Sequence, residues 1–323
     1  MAHEIEVVDG IARMFYVGDA PWHGLGIPLN EPPTIDEAIR LAGLNWTVSV
    51  KPLVIGESGI AVPANAVVRD DGSVIGVVGG NFTPLQNLDA FRWFQPFIDS
   101  KQATLETAGS LKGGRKVWVL ARLAGDPIEV AKNDMILRYL LLSNGHDGTI
   151  SARAGFTATR VVCANTLHVA HTSETSKLIR VLHTPGIHDA LDRVREIMSL
   201  ADQQFKATAE QMKRLTEVGV VEEDLKKYVR KVFQNPVETK QGIEAPEDAN
   251  ENLLAKIVPL FEEGPGAKLP GVAGTLWGAY NAVTAFTSHA RGRSQDSRLD
   301  SLWFGDSARI NKRALEVALR MAA

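Results

Sequence analysis

The spacing of apolar residues changes once along this chain, near Thr184, and that change restricts the fold more than any other feature of the sequence. Before it, apolar residues alternate over short stretches bounded by Gly, Asn, Asp and Pro, as in half-buried strands joined by tight turns. After it they recur three and four apart, as on amphipathic helices. Strands grouped first and helices grouped afterwards give an α+β protein rather than an alternating βαβ one. The expectation is an antiparallel β-meander packed with helices over residues 1–183, carrying an N-terminal arm, then a mainly helical half over residues 184–323.

The strand signal is clearest between residues 103 and 157. Ala103–Ser110, Lys116–Leu123, Met135–Ser143 and Thr149–Thr157 read as strands. Lys112-Gly113-Gly114-Arg115 and Asn144-Gly145-His146-Asp147-Gly148 read as turns. Upstream, Trp46–Leu53 alternates as a strand, and Asn65–Val78 reads as a hairpin about Asp71-Gly72, a pair that tolerates the positive φ of a tight turn. Thr34 and Glu37 have capping-box spacing. Ile35, Ala38, Ile39 and Ala42 share one face of the helix they open, and Gly43 ends it. Asn87 is placed to cap a helix over Leu88–Ile98 whose aromatic face holds Phe91, Phe94 and Trp93. The first 30 residues read as an irregular arm with short strands. Val161–His171 reads as a helix and Lys177–Leu182 as a returning strand.

In the second half, Thr184-Pro185 opens a long helix reaching about Val218, since Pro suits the first helical turn. Glu222–Phe233 is a second helix. A polar, acidic linker lies near 235–250, and further helices near 252–261, 275–290 and 307–321.

Composition narrows the function classes. Hydrophobic residues make up 45% and charged residues 23%, so the chain can bury a substantial core. A single cysteine, Cys163, rules out a disulfide framework within one chain and a cysteine-rich zinc site. The formal net charge of −3 argues against nucleic-acid binding by general electrostatics, so such a site has to be a local basic surface. Met1–Gly10 carries Glu4, Glu6 and Asp9 rather than a basic and then apolar leader, and no run of about 18 apolar residues occurs. A cytoplasmic protein that does not enter membranes is expected.

Few residues carry recognisable chemistry. Cys163 and His168 are five apart and share no helical face. His168 and His171 are spaced for one helical face but lack a third ligand. Lys112-Gly113-Gly114-Arg115-Lys116 lacks the P-loop spacing and lies between strands. It is either a solvated basic turn or a loop touching a phosphate backbone, its glycines permitting close approach. Arg122, Arg138, Arg153 and Arg160 lie on or beside the strands, where such a row can form a positive groove for single-stranded nucleic acid. His289, Arg291, Arg293 and Arg298, followed by Lys312 and Arg313, form a second basic cluster.

Several spaced motifs carry a resemblance. Pro21-Trp22-His23-Gly24-Leu25-Gly26, Pro84-Leu85-Gln86-Asn87, the stretch from Arg160 to Leu167, the stretch from Thr275 to Thr284, and Trp303-Phe304-Gly305 look like the phage/plasmid-like proteins grouped as a domain of unknown function. The likeness runs from the N-terminus to the tail. The hairpin-rich meander followed by a helix also resembles the core of the Rad-type single-strand annealing superfamily. That second resemblance implies a homo-oligomeric ring or filament in a bacterial host cell. It would bind single-stranded DNA in a basic groove and anneal it for recombination without ATP, metal or another cofactor, and without a catalytic residue. On it, Lys112, Arg115 and Lys116 contact phosphates, Arg153 and Arg160 line the groove floor, and Trp22 with its arm packs between subunits. The alternatives are a mobile-element protein-interaction or anti-host factor that binds no nucleic acid, and an enzyme centred on Cys163 and His168.

Overall fold

A computed structural model describes residues 5–18, 24–160, 166–167, 179–198, 201–233, 248–291 and 298–323. It is an α+β protein, with antiparallel sheets in the N-terminal half and helices in the C-terminal half. The chain forms two compact units, each assembled from several segments. The first comprises Met1–Gly125, Arg138–Thr157 and Ser173–Ala201; the second comprises Asp126–Leu137, Ala158–Thr172 and Asp202–Ala323.

In the first unit, β1 (Val7–Val8) and β2 (Ile11–Ala12) pair about Asp9 and Gly10, both at positive φ. Two left-handed residues in a two-residue loop match the twist of a hairpin. The N-terminal stretch is more deeply built in than an arm: β3 (Met14–Val17) joins the main sheet and its Phe15 is fully buried. β4 (Ile27–Leu29) runs parallel to β3. α1 (Ile35–Leu41) has the expected capping box, Thr34 and Glu37 each satisfying the other's backbone amide. Its end is a Schellman motif. Leu44 N–H donates to Ile39 O, Gly43 N–H donates to Arg40 O, and Gly43 takes φ +63°.

β5 (Val48–Val54), β6 (Ala61–Arg69) and β7 (Val74–Val78) form a separate three-stranded antiparallel sheet. The expected turn at Asp71-Gly72 is present, but only Gly72 is left-handed. Gly72 N–H donates to Arg69 O and Arg69 N–H to Ser73 O, a three-residue loop ending in a bulge. Beyond Val50 the β5–β6 hairpin is largely exposed, including Val54, Ile55, Ile60 and Val62.

The helix expected over Leu88–Ile98 is two: α2 (Asn87–Arg92) and α3 (Gln95–Asp99). Pro96 explains the break, because it has no N–H for the Arg92 carbonyl and its ring crowds that oxygen. Asn87 is not the cap. Gln86 holds that position, and its side-chain amide instead brackets Val48, donating to Val48 O and accepting from Val48 N–H. β8 (Ala103–Leu111) and β9 (Lys116–Leu123) are the central antiparallel pair, against which α1, α2 and α3 pack.

β10 (Ile128–Ala131) belongs to the second unit and was not anticipated. It pairs with the start of β11 (Asp134–Gly145), whose residues from Arg138 onward return to the first unit beside β9. β12 (Ala152–Arg160) follows. The expected helix over Val161–His171 lies outside the described residues except at β13 (Thr166–Leu167). Those two residues pair antiparallel with Ala158 and Thr159, so they are strand and not helix. β14 (Ile179–Val181) is the anticipated returning strand, paired with Ala152–Ala154. The order across the first unit is β12-β11-β9-β8-β3-β4, with β14 also beside β12.

The long helix expected from Thr184 is assigned as α4 (Ile187–Met198) and α5 (Ala201–Glu217). Pro185 does not open α4. Ala190 N–H bonds to Gly186 O, so the first turn starts at Gly186. The second unit then contains α6 (Glu222–Phe233), α7 (Asp248–Glu263), α8 (Leu276–Ala285), α9 (Arg298–Phe304) and α10 (Asp306–Met321). α8 is buried on every side and continues into a π-helical turn at Phe286–Ala290. Tyr228 of α6 donates to Ala314 O of α10 at 2.9 Å. Among the described residues no helix is long and apolar enough to cross a membrane.

Candidate functional site

The basic turn predicted from the sequence closes the β8–β9 hairpin. Leu111 and Lys116 pair in register, and Lys112, Gly113 and Gly114 all take positive φ. Gly114 is required twice over. Its φ is +85°, and a Cβ there would lie 2.9 Å from the Trp46 ring. Lys112 is half-buried and Arg115 exposed. The Arg115 carbonyl accepts the His146 N–H at 2.8 Å, which ties this turn to the loop between β11 and β12. Both loops therefore lie at one end of the sheet, where Gly145 of β11 pairs with Lys116 and where β12 begins.

The five predicted site residues are placed differently. Arg115 presents its side chain to solvent. Lys116 is only 7% exposed, on the sheet face shared with Trp118 and Leu120. Arg153, second residue of β12, is half-buried, and its Nε is enclosed without a hydrogen-bond acceptor. Arg160 is the last residue of β12, at the strand end opposite Arg153, and its side chain lies outside the described residues. The structure thus joins Arg153 to the sheet end that carries Lys112 and Arg115, and does not join Arg160 to it.

Sequence reasoning missed Arg180. It stands on β14 directly opposite Arg153, so the two side chains leave the same face of adjacent strands. Arg180 is exposed, and its Nε donates to Ser151 Oγ at 3.2 Å. Burial, and secondarily the charge of Arg180, lowers the Arg153 pKa, and no carboxylate among the described residues contributes. The signal was the alternation Ile179-Arg180-Val181, which puts Arg180 on the face away from the buried Val181.

Other basic residues are engaged internally. Arg69 pairs with Glu6 at 2.9 Å and Asp71 at 3.2 Å, and its guanidinium lies over Trp46, 4.5 Å from the ring centroid. Arg138 donates to Ala124 O at 2.6 Å. In the second basic cluster, Arg291 bonds Ser307 and pairs with Asp306, Arg298 reaches Arg291 O, and Arg313 reaches Val232 O. Those arginines hold the second unit together.

Two further polar groups are buried in the first unit. Tyr139 donates to Glu106 at 2.6 Å across β9, and burial raises the pKa of both. His146 is fully buried, and burial, then the nearby His183, pushes its pKa down to about 3. Both pin strands and loops together. Cys163, His168, His171, Trp22 and Arg293 lie outside the described residues. Among the described residues no group of three or more His, Cys, Asp or Glu is placed to hold a metal ion. What remains is a small cationic surface able to bind an anion.

Neither a curated protein nor a solved structure matches the chain. A family profile does, over residues 74–303, which is more than half of the sequence and includes the basic turn, Arg153 and Arg180. The chain belongs to the DUF932 family, a domain of unknown function.

Proposed function

We propose that this protein binds single-stranded DNA through its phosphate backbone at the β9–β12 end of the first unit. On this reading it is a phage- or plasmid-encoded annealing protein that works as a homo-oligomer in the cytoplasm of a bacterial host, needing neither nucleotide nor metal. The observation that carries the reading is the convergence of exposed Arg115 and half-buried Lys112 with Arg153 at one end of the sheet. Gly113, exposed and with open space where a Cβ would stand, lets a ligand backbone approach the turn closely. In a chain of net charge −3, such a patch gives local attraction without general stickiness. The sequence likeness to phage/plasmid-like proteins supplies the mobile-element setting, and the likeness to the Rad-type superfamily supplies the annealing role.

The test is fluorescence anisotropy of a labelled mixed-sequence oligonucleotide, single-stranded and duplex, at low and moderate salt. Tight single-strand binding that weakens with salt is the expected result, because phosphate contacts release counterions. Arg115→Glu should weaken it at least tenfold. Absence of binding at low salt would overturn the reading. A protein-interaction role would then take its place, because the exposed β5–β6 hairpin presents Val54, Ile55, Ile60 and Val62 to solvent.

A further inference from the structure

We propose that Arg153, Arg180 and Ser151 form a discrete binding site for one phosphate-type oxyanion. The proposal deepens the backbone-binding reading and rests on it for the identity of the natural ligand, but the site itself is argued from local geometry.

The two arginines are opposed in register on β12 and β14. Side chains so opposed start about 4.5–5.5 Å apart at Cβ, and like charges at that spacing destabilise a sheet. β14 is only three residues long, so few other contacts hold the strand against that repulsion. Arginine does not relieve the strain by losing its proton. Burial and the charge of Arg180 both oppose the cationic form of Arg153, with no acidic group among the described residues acting against them. Its Nε–H is enclosed with no acceptor. An enclosed charged donor without an acceptor is among the costlier arrangements a protein can hold.

An anion held between the two arginines accounts for each of these features. A tetrahedral oxyanion offers acceptor oxygens in several directions together with negative charge, enough to meet two guanidinium groups at once. Ser151 is 8% exposed, and through its hydroxyl it holds one edge of the Arg180 guanidinium. That contact orients the guanidinium before the ligand arrives, and pre-orientation reduces the ordering cost of binding. A surface arginine in water needs no such anchor. A planar carboxylate directs its two oxygens at one guanidinium fork, whereas the tetrahedral oxygens of a phosphoryl group diverge and can meet both arginines, which favours the phosphate class. The source can be free phosphate, which carries up to two negative charges, or a phosphodiester of a nucleic-acid strand, which carries one; both present tetrahedral oxygens to the two guanidinium groups.

The experiment titrates inorganic phosphate into the full chain by calorimetry, and in parallel titrates the protein into a labelled single-stranded oligonucleotide. Wild type, Arg180→Gln and Arg153→Met are compared, with thermal unfolding recorded with and without phosphate. Arg180 is exposed, so its replacement should leave the fold intact by circular dichroism. Expected are one phosphate per chain and a tenfold or greater loss of affinity in Arg180→Gln. Phosphate should raise the melting temperature of wild type and not that of either variant. If phosphate binds in this way but the oligonucleotide does not, the anion site stands and the nucleic-acid reading falls. If the oligonucleotide binds equally well to wild type and Arg180→Gln, and phosphate binds to neither, the site is overturned while the broader reading survives. Phosphate binding that is unchanged in both variants would also overturn the site.

Discussion

Asn87 and His146 meet through a 2.9 Å hydrogen bond between Oδ1 and Nε2, across 59 positions of sequence. The Asn87 amide nitrogen donates to Leu44 O and Trp46 O, which leaves Oδ1 as the acceptor and places the imidazole proton on Nε2. His146 Nδ1 is then a bare nitrogen, buried without a partner. A histidine in this setting is neutral, and the sheet end carrying the basic turn is built around it.

That neutrality gives a pH prediction. The folded pKa of His146 is about 3, below the 6.5 of a free imidazole. Between those values the unfolded chain binds a proton that the folded chain does not. Stability is therefore complete above about pH 6.5 and falls as pH drops toward 3, by about 1.4 kcal/mol per pH unit for this one group. His183, also lowered chiefly by burial, acts in the same direction. Urea unfolding from pH 7 to pH 4 should show this slope, and His146→Gln should reduce it by close to one proton. An unchanged slope in the variant would show that His146 is not the group responsible.

Gly109 is expected to resist any side chain. It pairs with Trp118, and a Cβ at 109 would lie 2.5 Å from the Trp118 ring and 2.8 Å from Met14 Cβ. Trp118 and Met14 are 3% and 2% exposed, so neither has room to withdraw. Gly109→Ala should cost about 1–3 kcal/mol, the usual range for overpacking. A denaturant midpoint within error of wild type would contradict this contact.

In the second unit, Trp277 donates its indole N–H to Asp134 Oδ2 at 2.7 Å, with both residues fully buried. Trp277→Phe keeps most of the ring and removes the donor. The expected loss is about 1–3 kcal/mol, the cost of taking a partner from a buried polar group. Asp134→Asn keeps a carbonyl acceptor and should cost less. Chemical denaturation of both variants orders the two effects.

The parts of the fold that follow local rules were legible in the sequence. α6 has Leu225, Tyr228, Val229 and Val232 buried on one face, acidic residues in its first turn and basic ones in its last, so spacing and charge agree. The Thr34 cap and the turn after Arg69 likewise depend on neighbours in sequence. Asn87 was misread because the same side chain serves as a cap or as a tertiary bridge, and only packing decides between them. The break at Pro96 was hidden by an aromatic face, Phe91, Phe94 and Phe97, that continues through it. At the site, the exposure of Arg115 followed from its turn. The burial of Lys116 was implied by its alternation with Trp118 and Leu120, although nothing local marks that face as covered. Arg180 escaped notice because a three-residue strand gives almost no periodic signal, and its meaning comes from Arg153 opposite.

The interrupted path of the chain through the first unit sets the order of events on the ribosome. Trp93 Nε1 bonds Leu191 O, and Thr83 N–H bonds His183 O, each about one hundred positions later. β8, β9 and the early helices can form as soon as they emerge. The partners Leu191 and His183 follow only after the chain has left at Gly125, returned over Arg138–Thr157, left again and come back to end at Ala201. At a synthesis rate of 5–20 residues per second, those 76 positions take roughly 4–15 s. During that interval the Trp93 indole lacks its Leu191 partner and faces solvent. A nascent chain in that condition is a natural client for chaperones. Slower elongation between residues 126 and 201 would lengthen the period in which two such chains can pair with each other instead of with themselves.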